Sequence, residues 1–174
     1  MKFIKAALAA LMMVMAGSGQ AATTAEATLM INVTFTQPSC DIQAPVSYNL
    51  GTLTPEVKKT HAPLEITWTC ADGGTPVKTA LTAAIVKGRA RDDDKVILQT
   101  DRGTDTGATL SLREKVSSAL IKLTGPTAEN YFCSDANAVS DVRRTCTLTP
   151  ETNVSQSGPF GLASATLRFE VGYP

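Results

Sequence analysis

GLASATLRFEVGYP, Gly161 to Pro174, is the stretch whose reading decides the fold. From Ala165 it alternates strictly. Ala165, Leu167, Phe169, Val171 and Tyr173 fall on one side, and Thr166, Arg168, Glu170 and Gly172 on the other. Successive side chains of a strand point to opposite faces, so this is a half-buried β-strand. Chain termini fray unless something ties them down. An apolar strand this close to Pro174 is expected either to be held on both edges or to be left open for a partner. TLMINVTFTQ, Thr28 to Gln37, mirrors it: Leu29, Ile31, Val33 and Phe35 alternate with Thr28, Met30, Asn32, Thr34 and Thr36. That period also predicts a strand.

The opening residues are set apart from the fold. Met1 to Lys5 is a short basic start, Ala6 to Ala16 an apolar run, and Gly17 to Ala21 a small-residue exit with Gly19 and Ala21 at the −3 and −1 positions. This reads as a secretory signal peptide, residues 1–21, cut after Ala21. The apolar run falls short of the roughly 20 residues a membrane span needs. The signal carries two lysines and no acids, which leaves 14 basic against 16 acidic residues beyond it. A near-neutral chain without basic clusters is a poor match to phosphate-backbone binding, so no nucleic acid is expected. The remaining length suits one domain with one core.

Cys40, Cys70, Cys133 and Cys146 are the four cysteines. An even count in an exported chain reads as two disulfides. Three pairings are open and the sequence alone does not choose. Cys40–Cys70 and Cys133–Cys146 are preferred because each closes a loop between neighbouring elements. Zinc is disfavoured: no C-x-x-C pair occurs, and His61 has no cysteine or carboxylate at ligand spacing.

Taken in order, Ala22 to Ala27 reads as a polar tail, and Pro38 ends the first strand. Ala44 to Leu53 alternates at Val46, Tyr48 and Leu50 until Gly51 breaks it. Thr54 to Ala62 is a polar connector. Leu64, Ile66 and Trp68 then share a face that ends at Cys70, which places Trp68 in the core near the first disulfide. Val77 to Lys87 and Lys95 to Thr100 are strand candidates, separated by a charged turn at Gly88 to Asp94. Beyond the Asp101 to Gly107 turn, Leu110, Leu112 and Val116 to Leu123 give two more. One helix over 109–123 is the alternative, but Ser/Thr content and flanking Gly and Pro favour strands. Gly125 to Gly158 is long, polar and without a convincing period, and the second cysteine pair would pin it as an excursion. Some seven short strands separated by turns predict an all-β antiparallel sandwich.

Catalytic machinery is not visible. His61 sits in a polar connector and is expected at the surface, and no nucleophile–base pair shows a recognisable spacing. Asp92, Asp93 and Asp94 read as a solvated turn rather than a calcium site. Arg143 and Arg144 are expected to be exposed. No enzyme activity, cofactor or metal is implied.

Four features together carry a family resemblance. The alternating TLMINVTFTQPSC runs directly into Cys40. YNLGTL and ITWTC follow, placing Cys40 and Cys70 where the first two strands of such proteins are tied. Gly161 stands fourteenth from the end, and the tail closes on penultimate Tyr173. In these the chain resembles a fimbrial subunit of the chaperone–usher pathway, of the type 1 and P pilus kind.

The resemblance implies an immunoglobulin-like sandwich lacking its last strand. It divides the chain into a donor extension, residues 22–37, and a pilin domain, residues 38–174. The empty place beside the C-terminal strand would be filled first by a periplasmic chaperone. At the outer-membrane usher, the extension of a neighbouring subunit would replace it. Leu29, Ile31, Val33 and Phe35 would be the inserted plugs, together contributing on the order of 6–12 kcal/mol before entropy losses. Leu167, Phe169 and Val171 would form the groove wall and chaperone-binding face, Gly161 would start the last strand, and Tyr173 would anchor its end. A head-to-tail contact that does not close on itself yields a filament, here a cell-surface fimbrium reached through the periplasm. Many such pilins carry glycine about seven residues before the first cysteine, where this chain has Val33. With the second cysteine pair, that points to a minor, tip or adaptor subunit. Two alternatives accompany this reading. One is a self-complemented secreted sandwich similar to the spore-coat U family. The other is a module that binds a host receptor through loop 125–158, with Tyr131 and Phe132 either as contacts or packed beneath it.

Overall fold

The computed structural model describes residues 30–32, 39–71, 74 and 76–174. The chain divides into two compact units, Met1–Phe35 and Thr36–Pro174. Of the anticipated donor plugs, Leu29, Val33 and Phe35 lie outside the described residues. Ile31 and its neighbour Met30 are exposed and carry no strand.

Ten strands and no helix occur among the described residues. They are β1 Ser39–Gln43, β2 Lys58–Thr60, β3 Leu64–Ala71, β4 Ala80–Lys87, β5 Arg89–Asp92, β6 Lys95–Thr100, β7 Asp105–Glu114, β8 Arg144–Val154, β9 Ala163–Ser164 and β10 Thr166–Gly172. The larger sheet runs β1-β3-β8-β7-β6-β5, with β2 following β3 along the same edge of β8 and β9 pairing β6. The smaller sheet is β10-β4. Ile66 and Trp68 of β3, Leu112 of β7 and Leu148 of β8 meet Leu81 of β4 and Phe132 across the core. Residues 36–174 therefore form an all-β sandwich of the kind expected.

Both disulfides pair as preferred, Cys40–Cys70 and Cys133–Cys146. The first links directly opposed residues of β1 and β3. The second ties the β7–β8 connection to β8.

That connection serves a purpose in the smaller sheet. Leu81 and Phe132 exchange both backbone hydrogen bonds at 3.0 Å, and Gly125 N–H donates to Ala83 at 2.9 Å. Asp135 N–H donates to Thr79 at 3.0 Å, and Leu123 accepts from Ile85 at 3.3 Å. The connection thus covers the β4 edge that faces away from β10.

Several expectations are corrected. Residues 125–158 are not one loop, because they contain β8, the longest strand and the centre of the larger sheet. Its inward positions are Arg144, Cys146, Leu148, Pro150, Thr152 and Val154. Three of these six are charged, hydroxylated or proline, so no apolar period stands out. Ala44 to Leu53 alternates but forms no strand, since nothing pairs with it. Residues 116–123 are neither strand nor helix. They pack Ile121 and Leu123 into the core, with one isolated bridge at Leu120. The charged turn at 88–94 contains β5. Gly88, at φ 116°, is where the chain leaves β4 for β5, and a Cβ there would stand 2.5 Å from Val96 Cγ2.

Candidate functional site

β10 pairs with β4 from Thr166↔Lys87 to Gly172↔Ala80, with a register shift between Thr166 and Leu167. Its other edge has no ladder partner among the described residues. Unpaired strand edges are templates for another chain. Beside this edge lies a trough of about 980 Å³. Its floor is the core face of the larger sheet, including Leu98, Leu110, Pro150 and Val154. One wall is Leu167 and Phe169 of β10, and the other is the unpaired segment 45–53.

The burial pattern shows what is missing. Leu81 and Ala83, on the covered strand β4, are 0% and 1% exposed. Leu167, Phe169 and Val171 point to the same core yet remain half-buried, because no described residue covers them from the trough side. On the outward face Arg168 and Glu170 pair at 2.9 Å. The strict alternation of the tail is thus realised, with its apolar face only partly enclosed.

The far wall is ordered without a ladder. Tyr48 O–H donates to the Ala62 carbonyl at 2.6 Å, and Gly51 N–H donates to Asn49 Oδ1 at 2.8 Å. Gly51 has φ 68°, a left-handed turn that ends the run. Val46 of this segment and Phe160 and Leu162 at the mouth are exposed and apolar. Gly161, between the last two, has φ 131° and marks the bend before β9.

The expected site residues therefore divide. Gly161, Leu167 and Phe169 line the trough. Val171 packs on the core beside it, and Tyr173 lies at its end, the hydroxyl 3.3 Å from Cys40 Sγ. Phe132 is 6% exposed and meets Phe169 edge-to-face, centroids 6.5 Å apart. It packs beneath the loop. Tyr131 covers Gly172, where a Cβ would lie 2.6 Å from the ring.

Two polar residues take places not expected of them. His61 is half-buried, its Nε2 2.8 Å from Thr152 Oγ1, and burial followed by the nearby Lys59 charge lowers its pKa. Arg144 is buried rather than exposed. Its Nε lies 2.6 Å from Asp135 Oδ2, turned off the hydrogen-bond line, and its Nη2 donates to the Val77 and Val139 carbonyls. Thr79 Oγ1 donates to the same carboxylate and accepts from Trp68 Nε1. This chain runs from the core tryptophan to the β7–β8 connection. No sequence signal announces it, because Arg144 and Asp135 stand in polar surroundings.

Among the described residues no cluster of histidine, cysteine or carboxylates suits a metal ion. No protein-family model matches the sequence, and no curated protein matches it. Solved structures do. The P pilus rod subunit PapA aligns with a TM-score of 0.56 at 17% identity, over 78% of this chain and 99% of that one. A subunit in a chaperone–usher pilus structure concerned with rod uncoiling aligns with a TM-score of 0.55 at 15% identity, over 86% and 96%. With an eight-stranded sheet packed on a two-stranded one whose β10 edge is unpaired among the described residues, the chain has the fold of a chaperone–usher pilin.

Proposed function

We propose that this chain is a structural subunit of a bacterial fimbria that accepts a donated β-strand beside β10. The observation that carries the proposal is the unpaired β10 edge over an apolar trough. An inserted strand would satisfy the backbone groups of that edge and place alternate side chains on the exposed core. The likeness to pilus subunits supports the same reading.

In this reading residues 22–37 donate a strand to a neighbouring subunit through Leu29, Ile31, Val33 and Phe35, and residues 38–174 accept one. A periplasmic chaperone holds the trough before an outer-membrane usher passes the subunit into the fibre at the cell surface. Any host contact is made by the assembled fimbria. Val33 and the second disulfide favour a minor or adaptor position. The role is structural, with no reaction catalysed.

Expression of the mature chain with and without its cognate chaperone tests this. Aggregation alone and a soluble one-to-one complex with the chaperone are expected. A stable monomer that refolds alone and ignores the chaperone would overturn it. A second arm removes residues 22–37: the truncated subunit should still bind chaperone but fail to enter fibres.

A further inference from the structure

The trough occupies one face of the larger sheet. On β7, Leu110 and Leu112 point toward it, so Thr109, Ser111 and Arg113 point the other way. That opposite face holds a cleft of about 420 Å³, within the range of small-ligand sites.

Leu120 is the one apolar residue lining the cleft, and the carbon stems of the other side chains make its surface about as apolar as polar. Its rim carries four cationic side chains: Lys58 of β2, Arg91 of β5, Lys95 of β6 and Arg113 of β7. Lys59 lines it too, but its side chain points to the other face with Thr152. Only two carboxylates line it, and both are engaged. Glu151 is held by Arg113 through two donors, and Asp92 takes Lys95, which also pairs with Asp94 just outside. Lys58 and Arg91 have no ion pair among the described residues, although the Lys58 charge helps to lower the pKa of Glu151. Between the cations the sheet presents hydroxyls and an amide, with Thr60 and Asn153 exposed. Ser111 is 8% exposed, and Thr60 and Asn153 stand in neighbouring rows of the sheet. None of these three side chains has a hydrogen-bond partner among the described residues.

We propose that this cleft binds an acidic sugar. Lys58 on one rim or Arg91 on the other would take the carboxylate, and the hydroxyl and amide groups between them would take the ring hydroxyls. An acidic peptide is the competing occupant and forms an arm of the test. The site is separate from the strand-accepting trough and does not depend on it.

Titration of the mature chain in its soluble one-to-one complex with the chaperone, using sodium glucuronate, glucose, sodium sulfate and a short polyglutamate peptide, tests this, read by the chain's amide chemical shifts in NMR. Glucuronate should move amides in residues 58–60, 91–95, 109–113 and 151–153, with a dissociation constant on the order of 1 mM. Glucose should bind at least about tenfold more weakly. The double variant Lys58→Gln/Arg91→Gln should weaken glucuronate about three- to tenfold while leaving the Trp68 fluorescence unchanged. Equal binding of sulfate and glucuronate would reduce the cleft to a general anion site and refute the sugar. Tighter binding of polyglutamate would reassign it to a protein contact, and unchanged shifts at these segments would remove the site altogether.

Discussion

Removing the Asp135 carboxylate should destabilise the sandwich more than any surface substitution. Arg144 is 6% exposed, and Asp135 is its one ion-pair partner among the described residues. Asp135→Ala leaves a buried guanidinium uncompensated, which costs about 3–5 kcal/mol. It also strands Thr79 Oγ1, which is fully buried and donates to Asp135 at 2.9 Å. Because the Asp135 side chain retains 18% of its exposure, the lower end of that range, about 3 kcal/mol, is the expected loss. With a urea m-value of roughly 2 kcal/mol/M, the midpoint should fall by about 1.5 M. Trp68 is the sole tryptophan, is buried, and donates to Thr79, so its fluorescence reports the affected region directly. Unfolding of the mature chain at submicromolar concentration, followed by that signal, is the assay. Arg144→Met alone should cost less, since Asp135 keeps Thr79 and some solvent. The double variant Asp135→Ala/Arg144→Met should cost less than the two single losses added together. A midpoint shift below about 0.3 M for Asp135→Ala, or strict additivity in the double variant, would refute the reasoning.

Three further outcomes are expected. Phe169→Asp puts a charge on the trough wall and breaks the ring contact with Phe132, so co-purification with the chaperone should be lost; an intact complex would count against the trough as its seat. Gly172→Ala should displace the Tyr131 ring and cost about 1 kcal/mol, visible as a shift of the Tyr131 ring resonances. The hydrogen bonds from Arg113 hold the Glu151 carboxyl below the ordinary glutamate value near 4.5. The stabilisation from that pair is therefore fully present above this value and disappears as pH falls through the depressed one. Glu151→Gln should lower the neutral plateau and so flatten the acid limb of the stability curve, and identical acid limbs would contradict the assignment.

The last strand and the β3 segment were legible because each alternates cleanly with apolar residues on one side only. Lys95–Thr100 was legible to the residue, since charged turns bracket its apolar centre. The central strand β8 was not. Its buried row includes Arg144, Pro150 and Thr152, and each is accommodated by a tertiary partner that the local sequence cannot reveal. Asp135 neutralises Arg144, His61 takes the Thr152 hydroxyl, and the Pro150 carbonyl accepts from His61 N–H. Conversely, Val46, Tyr48 and Leu50 carry a strand pattern that is not realised, because a strand needs a neighbour as well as a period. The trough was anticipated through resemblance and through the tail. The cleft on the other face was not, since its cations come from four separate strands and meet only in three dimensions.

The coverage of β4 by the disulfide-anchored β7–β8 connection has a consequence for polymer architecture. A two-stranded ribbon ordinarily offers two sites of growth, and units with two acceptors produce branched or sheet-like aggregates. Here one side is sealed by Phe132, Gly125 and Asp135, so the ribbon can recruit a single newcomer beside β10. In the proposed fibre this ribbon would then accept one strand per subunit, and repeated joining there would give an unbranched thread.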